Sequence, residues 1–431
     1  MSNGIRFLLL GALLIAAFFT YQYFGTASVS VTSTPAGAEV RVDGQLQGIT
    51  PIDGVELSSG RHLLEASHTF YAPIKENIRL SRGDHLTRVL EFKKGKGKPI
   101  KNLYARLGKK QPNLCYAGHT DVVPPGNYSD WSINPFKPQV KRGYLIGRGA
   151  NDMKSSIACF VSAVSEYIKK NNNFNGSISF LITGDEEGYA TNGTKKVVDY
   201  LKKKKEKINF CIVGEPTNPK KLGEMIKIGR RGSLTAELEI FGIQGHIAYP
   251  HLSNNPINTL VKICSELKKK KLDKGNKNFQ PSNLEFTSLF VNNKAHNVIP
   301  SSAKTQFNVR YNNLQTASKL KRKINMTIKK ITKKNKCNYK INYLENGESF
   351  LTKPGKNIFL AKKVIKKITK VNPVFSTTGG TSDARFIKKI APCLEFGLVN
   401  KTMHKIDECV SLKDLSNLKK IYYNFLLEFF K

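Results

Sequence analysis

Two histidines and a set of carboxylates stand at the carboxyl ends of apolar strands. NLCYA leads into Gly118-His119-Thr120-Asp121, SISFLIT into Gly184-Asp185-Glu186-Glu187-Gly188, FCIV into Gly214-Glu215-Pro216, and CLEFGLV into a turn that ends at His404. A fifth group, residues 147–154 with Asp152, immediately precedes the apolar run SSIACFVSAVSEYI. Open α/β sheets bind ligands outside the carboxyl ends of their strands. Imidazole with carboxylate and no thiolate suits Zn²⁺, Mn²⁺ or Co²⁺ in a hydrolytic site. Five such groups exceed the needs of one catalytic ion with an open position and suit two metals that share a bridging carboxylate. A single strand-end acid is more often a helix cap or a solvated turn; that explanation does not stretch to five together.

These residues need a sheet to position them. Beyond residue 100, strands alternate with helices, the signature of an α/β fold with a largely parallel sheet. Residues 232–343 form a separate unit. LTAELEIFG, NLEFTSLFV and AKTQFNVRYNN read as strands, and NPINTLVKICSELKKK and TASKLKRKINMTIKKITKK as helices.

In order along residues 100–431, the motifs GHTDVVPPG, GRGANDMK, GDEEG, VGEPT, GRRGS, GHIAYPHLSNNP and GGTSDARF resemble the di-zinc aminoacylase and carboxypeptidase metallopeptidase family. GRRGS, GHIAYPH and GGTSDARF resemble the members that remove a succinyl group. The resemblance implies a three-layer α/β/α di-zinc catalytic domain with an inserted ferredoxin-like α+β dimerisation domain, and hence a homodimer. It implies that His119, Asp152 and Glu215 hold one Zn²⁺, and that Asp152 bridges to a second held by Glu187 and His404, with Co²⁺ or Mn²⁺ as substitutes. Asp121 would orient the His119 imidazole. Glu186 would be the general base for the attacking water and pass its proton to the leaving amine. His246 of the inserted domain would serve the partner subunit's site as an oxyanion donor, with His251 the alternative. Arg230, Ser233, Asn297, Arg310, Gly380 and Thr381 match substrate-binding positions, with Arg231 an alternative to Arg230. The implied reaction is hydrolysis of N-succinyl-L,L-diaminopimelate to succinate and L,L-diaminopimelate, a small acidic substrate on the route to lysine. The rivals are another deacylase or dipeptidase, such as an acetylornithine deacetylase, and an inactive hydrolase body on an envelope-binding protein.

The rest of the chain is of different character. Arg6 precedes the apolar run FLLLGALLIAAFF, and residues 1–27 read as a signal anchor or signal peptide with possible membrane attachment through residues 7–24. Residues 28–92 alternate apolar and polar positions between Gly- and Pro-containing turns, a small all-β domain that resembles the PEGA type. His62, His68 and His85 in it read as surface residues. KKGKGKP, residues 93–99, reads as a linker, leaving the catalytic domain as residues 100–231 and 344–431. The family's opening helix and strand have no counterpart ahead of the GHTD strand, which predicts exposed sheet. A chain with 40% hydrophobic and 24% charged residues is not disordered. The net charge of +38 first suggests nucleic acid, but it is confined to one segment. Residues 1–92 hold 7 Lys and Arg against 8 Asp and Glu, and residues 93–431 hold 63 against 24. The lysine clusters lack interleaved aromatics or arginine, so they read as solvated faces and no nucleic-acid partner is expected. The break near residue 93 marks two regions of different origin, either a membrane-anchored fusion or a joined reading frame. Seven widely spaced cysteines without a C-x-x-C predict no disulfides and a reducing compartment, hence the cytoplasm, at odds with the export that the first residues predict.

Overall fold

The computed structural model describes residues 26–34, 37–67, 73–91, 100–188, 190–293 and 295–431. The apolar run at 7–24, the linker at 93–99 and His68 lie outside them. Among the described residues no helix is long and apolar enough to cross a membrane. The chain divides into two compact units, Met1–Ile100 and Lys101–Lys431.

The first unit is all β. Its strands are β1 (Thr26–Thr34), β2 (Glu39–Val42), β3 (Gln45–Ile49), β4 (Ile52–Ser58), β5 (Gly60–Ser67), β6 (Ile74–Leu80) and β7 (His85–Glu91). They form two sheets, ordered β4-β1-β7 and β3-β2-β5-β6. Alternation puts Val29, Val31, Val40, Val42, Leu64, Ile78 and Leu80 in one core. The first and last strands pair in parallel, which the run of hairpin turns did not foretell. His62 is not a surface residue. It is buried, with Nδ1 2.6 Å from Asp43 Oδ2 and Nε2 2.8 Å from the Ser58 carbonyl. Asp43 is 19 residues away in sequence, and only the β2–β5 pairing of Val42 with Leu64 brings it close. His85 hydrogen-bonds Ser28 at an exposed position.

The second unit opens with strands β8 (Leu103–Leu107) and β9 (Asn113–His119), then helix α1 (Ser155–Lys170), β10 (Ser177–Thr183), α2 (Thr194–Lys203), β11 (Phe210–Val213) and β12 (Met225–Lys227). The inserted part comes next as β13 (Gly232–Phe241), α3 (Pro256–Lys269), β14 (Asn283–Phe290), β15 (Ser302–Tyr311), α4 (Ala317–Lys334) and β16 (Asn338–Gly347). The chain then returns with α5 (Lys356–Thr369), β17 (Val374–Ser376), α6 (Ala384–Ile387), β18 (Cys393–Glu395) and α7 (Leu412–Phe429).

The main sheet has seven strands in the order β17-β12-β18-β11-β9-β10-β8. β18, β11, β9 and β10 run parallel, so the segments after β9, β10 and β11 emerge on one edge. Helices α1, α5 and α7 cover one face. Helices α2 and α6 cover the other. β9 is buried along its whole length, as a central parallel strand must be, which is why NLCYA reads as a continuous apolar run. The exposed sheet expected ahead of the GHTD strand is seen on the antiparallel edge strand β8, where Leu103 and Leu107 face solvent. The inserted part is a β-α-β-β-α-β unit with strand order β14-β15-β13-β16. Its last strand runs to Gly347, past the expected boundary at 343, because Ser233 still pairs with Gly347. All seven cysteines are free.

The α1 face buries Cys159, Phe160, Ala163, Val164 and Tyr167 at helical spacing. Phe160 stacks on Tyr116 of β9 with centroids 4.3 Å apart and meets Tyr422 of α7 edge-on at 5.4 Å. Phe160→Ala should therefore cost the hydrolase unit about 3–5 kcal/mol in urea unfolding. A loss below about 1 kcal/mol would mean that this cluster does not hold α1 and α7 to the sheet.

Candidate active site

His119 ends β9, Glu186 and Glu187 follow β10, Glu215 follows β11, and His404 lies in the segment after β18. Asp152 lies in the tight turn Ala150–Lys154 that enters α1. The parallel sheet thus brings all five expected ligands to one place. His119 Nε2 is 3.2 Å from Asp152 Oδ1, and His404 Nε2 is 3.2 Å from Asp152 Oδ2. Each imidazole has a second carboxylate beside it: Glu215 Oε1 at 4.0 Å from His119, and Glu187 Oε1 at 2.9 Å from His404. Ligand atoms of His119, Asp152 and Glu187 fall within 4.8 Å of one another. One carboxylate therefore stands between two His–Glu pairs.

The electrostatics fit a pair of cations. Burial pushes the Glu215 carboxyl well up, and the negative charges of Asp152 and Glu186 push it further. Glu215 Oε1 is buried without a hydrogen-bond partner. Burial works against a charged His119, yet the Asp152 bond and the Glu215 and Glu186 charges hold its pKa well above the usual imidazole range. His404 is raised to about 10 by its bonds to Asp152 and Glu187. Burial would raise Asp152 too, but its bonds to both imidazoles hold it at about 2. Protons on two imidazoles supply the positive charge that this carboxylate cluster demands. A pair of divalent ions would supply it with both histidines neutral, as ligation requires.

Glu186 is pushed up to about 8, first by burial, then by Asp383, with a smaller push from Glu187. Asp121 stands beside the His119 ring and also meets the acidic pair. Its Oδ1 stays 3.6 Å from His119 Nδ1, which is instead 3.0 Å from the Asp121 main-chain carbonyl. Asp121 Oδ2 accepts from the amides of both Glu186 and Glu187 at 2.9 Å. The residue two after His119 thus touches the ring nitrogen and holds the amides of the acidic pair as well.

Of the adjacent arginines, Arg230 is committed. It is buried, and Nε lies 3.0 and 2.9 Å from the two oxygens of Glu395, which also accepts from Ser382 Oγ at 2.6 Å. It packs under the Gly379 turn (φ +102°), where a Cβ would sit 2.5 Å from Arg230 Nη1. Lys227, buried and paired across the sheet with Glu395, donates to Ser376 Oγ and Thr378 Oγ1 below the same loop. Gly380 is open to solvent above it. Ser233 Oγ accepts from Asn308, and Arg310 lies directly across from Ser233 in the sheet. Burial lowers the Arg310 pKa, and the charges of Arg231 and Arg385 lower it further. Arg231 Nε, Arg310 Nη1 and Arg385 Nε are buried without partners. Three guanidinium groups without a carboxylate make a site for an anion. Arg385 went unread in the sequence although it stands inside GGTSDARF, and Glu395 and Lys227 were hidden in apolar strands. His246 and His251 are exposed on the inserted part, and Asn297 is exposed beside His246, its carbonyl accepting from the Ile247 amide.

Residues 115–428 match peptidase family M20/M25/M40, and residues 26–96 match the PEGA domain. The chain is 64% identical over 343 residues to succinyl-diaminopimelate desuccinylase of Pelagibacter ubique, covering 80% of this chain and 89% of that one. It is 48% identical to succinyl-diaminopimelate desuccinylase of Wolbachia pipientis wMel, covering 79% and 84%. Among solved structures, the M20 family metallo-carboxypeptidase Sso-CP2 of Sulfolobus solfataricus superposes with a TM-score of 0.62 at 19% identity, covering 75% and 87%. The dinuclear metal-binding M20 peptidase YXEP of Bacillus subtilis gives 0.56 at 15%, covering 76% and 85%. At these identities the structural likeness shows the fold.

If the cluster is held together by two cations, a chelator should lower the thermal midpoint of the hydrolase unit. Divalent metal at 100 times its Kd should restore about 2.7 kcal/mol per independent site. Metal analysis alongside calorimetry should give about two ions per chain; an unchanged midpoint and no bound metal would contradict this reading.

Proposed function

The chain belongs to peptidase family M20/M25/M40, and from that premise we propose that it hydrolyses N-succinyl-L,L-diaminopimelate to succinate and L,L-diaminopimelate. It is a metal-dependent amide hydrolase. The observation that carries the proposal is Asp152, with one oxygen toward His119 and the other toward His404. The first metal would be held by His119, Asp152 and Glu215, and the second by Asp152, Glu187 and His404. Zn²⁺ fits this nitrogen and oxygen donor set, and Co²⁺ or Mn²⁺ would substitute. Bound there, two metals supply polarisation of the amide carbonyl and a more acidic water.

The chain's own groups do the rest. Glu186 takes a proton from the attacking water and delivers it to the amine nitrogen as the carbon–nitrogen bond breaks. Glu186 adjoins the ligand Glu187 at the end of β10, within reach of both the attacking water and the leaving amine. Asp121 holds Glu186 and Glu187 in place through their amides. Arg231, Arg310 and Arg385 receive carboxylates of the substrate, which is acidic at both ends. Gly380 and Thr381 present backbone to it on the loop that Arg230 and Lys227 support. Ser233 and Asn297 complete the substrate contacts.

His246 is assigned to the partner subunit's site, as donor to the carbonyl oxygen. Its exposure on the inserted part supports this, as do Leu289 and Phe290, which are exposed on the edge strand β14 that a second copy would extend. The cytoplasm is the proposed compartment for the hydrolase body, in keeping with seven free cysteines.

Purified full-length chain with added zinc should release succinate from the N-succinyl substrate far faster than acetate from N-acetylornithine; the reverse preference would assign it to the other deacylase. Glu186→Gln should keep its metal and lose about 10²–10⁴-fold in kcat. Turnover within tenfold of wild type would remove Glu186 from proton transfer. His246→Ala should lower kcat about 10²–10³-fold with metal content unchanged. Loss of metal instead would make His246 a ligand.

A further inference from the structure

Glu408 is fully buried on the segment that carries His404, and its side chain meets a ligand residue only at the Asp152 backbone amide. Its Oε2 is 2.7 Å from Arg148 Nη1 and accepts from the Gly149 amide at 3.1 Å. Its Oε1 accepts from the amides of Asn151 and Asp152 at 2.7 and 3.0 Å. Arg148 in turn donates to the carbonyls of Lys405 and Pro124, and its guanidinium lies over the Trp131 ring at 5.0 Å. Trp131 Nε1 donates to the Pro125 carbonyl, and Asp407 accepts from the amide and hydroxyl of Ser132. One ion pair thus joins three segments: the one after His119, the turn that bears Asp152, and the one that bears His404.

A second observation comes from the backbone. His404 (φ 63°) and Asp407 (φ 52°) are in the left-handed region, which non-glycine residues rarely adopt. Such conformations persist only where the surroundings enforce them. Here the enforcing contacts are those of Arg148 to Lys405, Ser132 to Asp407, and Glu408 to the Asp152 turn.

We propose that the buried Glu408–Arg148 pair is a positioning clamp that sets the Asp152 turn and the His404 segment in ligating register before any metal binds. Glu408 and Arg148 are positioning residues and touch neither substrate nor metal. The inference rests on the reading of the cluster as a metal site, and it adds a prediction for the metal-free chain.

The test uses full-length wild type, Glu408→Gln and, should that variant fold poorly, Arg148→Lys. Zinc affinity is measured by competition with a chromophoric chelator, and amide hydrogen exchange of residues 147–155 and 400–409 is monitored in the metal-free proteins. The clamp predicts a 10- to 100-fold weaker zinc Kd in folded variant protein. It also predicts at least tenfold faster exchange in those two stretches, with exchange in β9 and β10 unchanged. A lower thermal midpoint with unchanged zinc affinity and unchanged local exchange would make the pair a general stabiliser and overturn the inference. Wild type that binds no zinc would overturn the metal-site reading instead; faster exchange in the variants would still support the clamp, and unchanged exchange would still sink it.

Discussion

The structure is governed by the cost of gathering acidic groups in one partly buried place. Asp152, Glu187 and Glu215 converge with Glu186 beside them, and like charges at this range repel strongly once water is excluded. A fold that brings them together must supply countercharge and must hold each backbone so rigidly that repulsion cannot spread the site. The shifts of His119, His404 and Glu215 all express the first need.

The second need is met by main-chain hydrogen bonds to carboxylates that take no part in ligation. Asp121 fixes the amides of Glu186 and Glu187, Asp185 accepts from those of Thr191 and Asn192 in the same loop, and Glu408 fixes the Asp152 turn. On the substrate side, Arg230, Glu395, Ser382 and Lys227 form a buried network beneath the Gly379–Gly380 turn. That network consumes one arginine of the GRRGS pair and leaves Arg231 with Arg310 and Arg385 for an anion. On the substrate side the arginines therefore divide into Arg230, paired with Glu395, and Arg231, Arg310 and Arg385, each with a buried guanidinium nitrogen that has no partner.

Much of this was legible in the residues. A parallel sheet is built of continuous apolar strands, and the residues just past each strand emerge on one edge, so strand ends alone gather two histidines and several carboxylates; the family resemblance picks out Glu187 from its acidic neighbours. Asp152 was legible because its turn immediately precedes an apolar helix. The rest depended on long-range pairing. Glu408 lies 256 residues from Asp152, and nothing local to either marks their hydrogen bond. Glu395 lies inside the apolar run CLEFGLV, where nothing marks it; only the register of β12 against β18 sets it beside Lys227 and under Arg230. The same limit applied to His62, whose partner Asp43 sits on a different strand. Local pattern reveals which groups could do chemistry, whereas register decides which of them are already spoken for.

The first unit shares none of this chemistry. Its core is a set of alternating valines and leucines between short turns, and its buried histidine is hydrogen-bonded to a turn aspartate. The central proposal concerns Asp152, whose carboxylate would link two metal ions. Electron paramagnetic resonance of the full-length chain loaded with two equivalents of Mn²⁺ tests it most directly. The account predicts an exchange-coupled pair signal that disappears in Asp152→Ala. Two independent mononuclear signals in the wild type would contradict it.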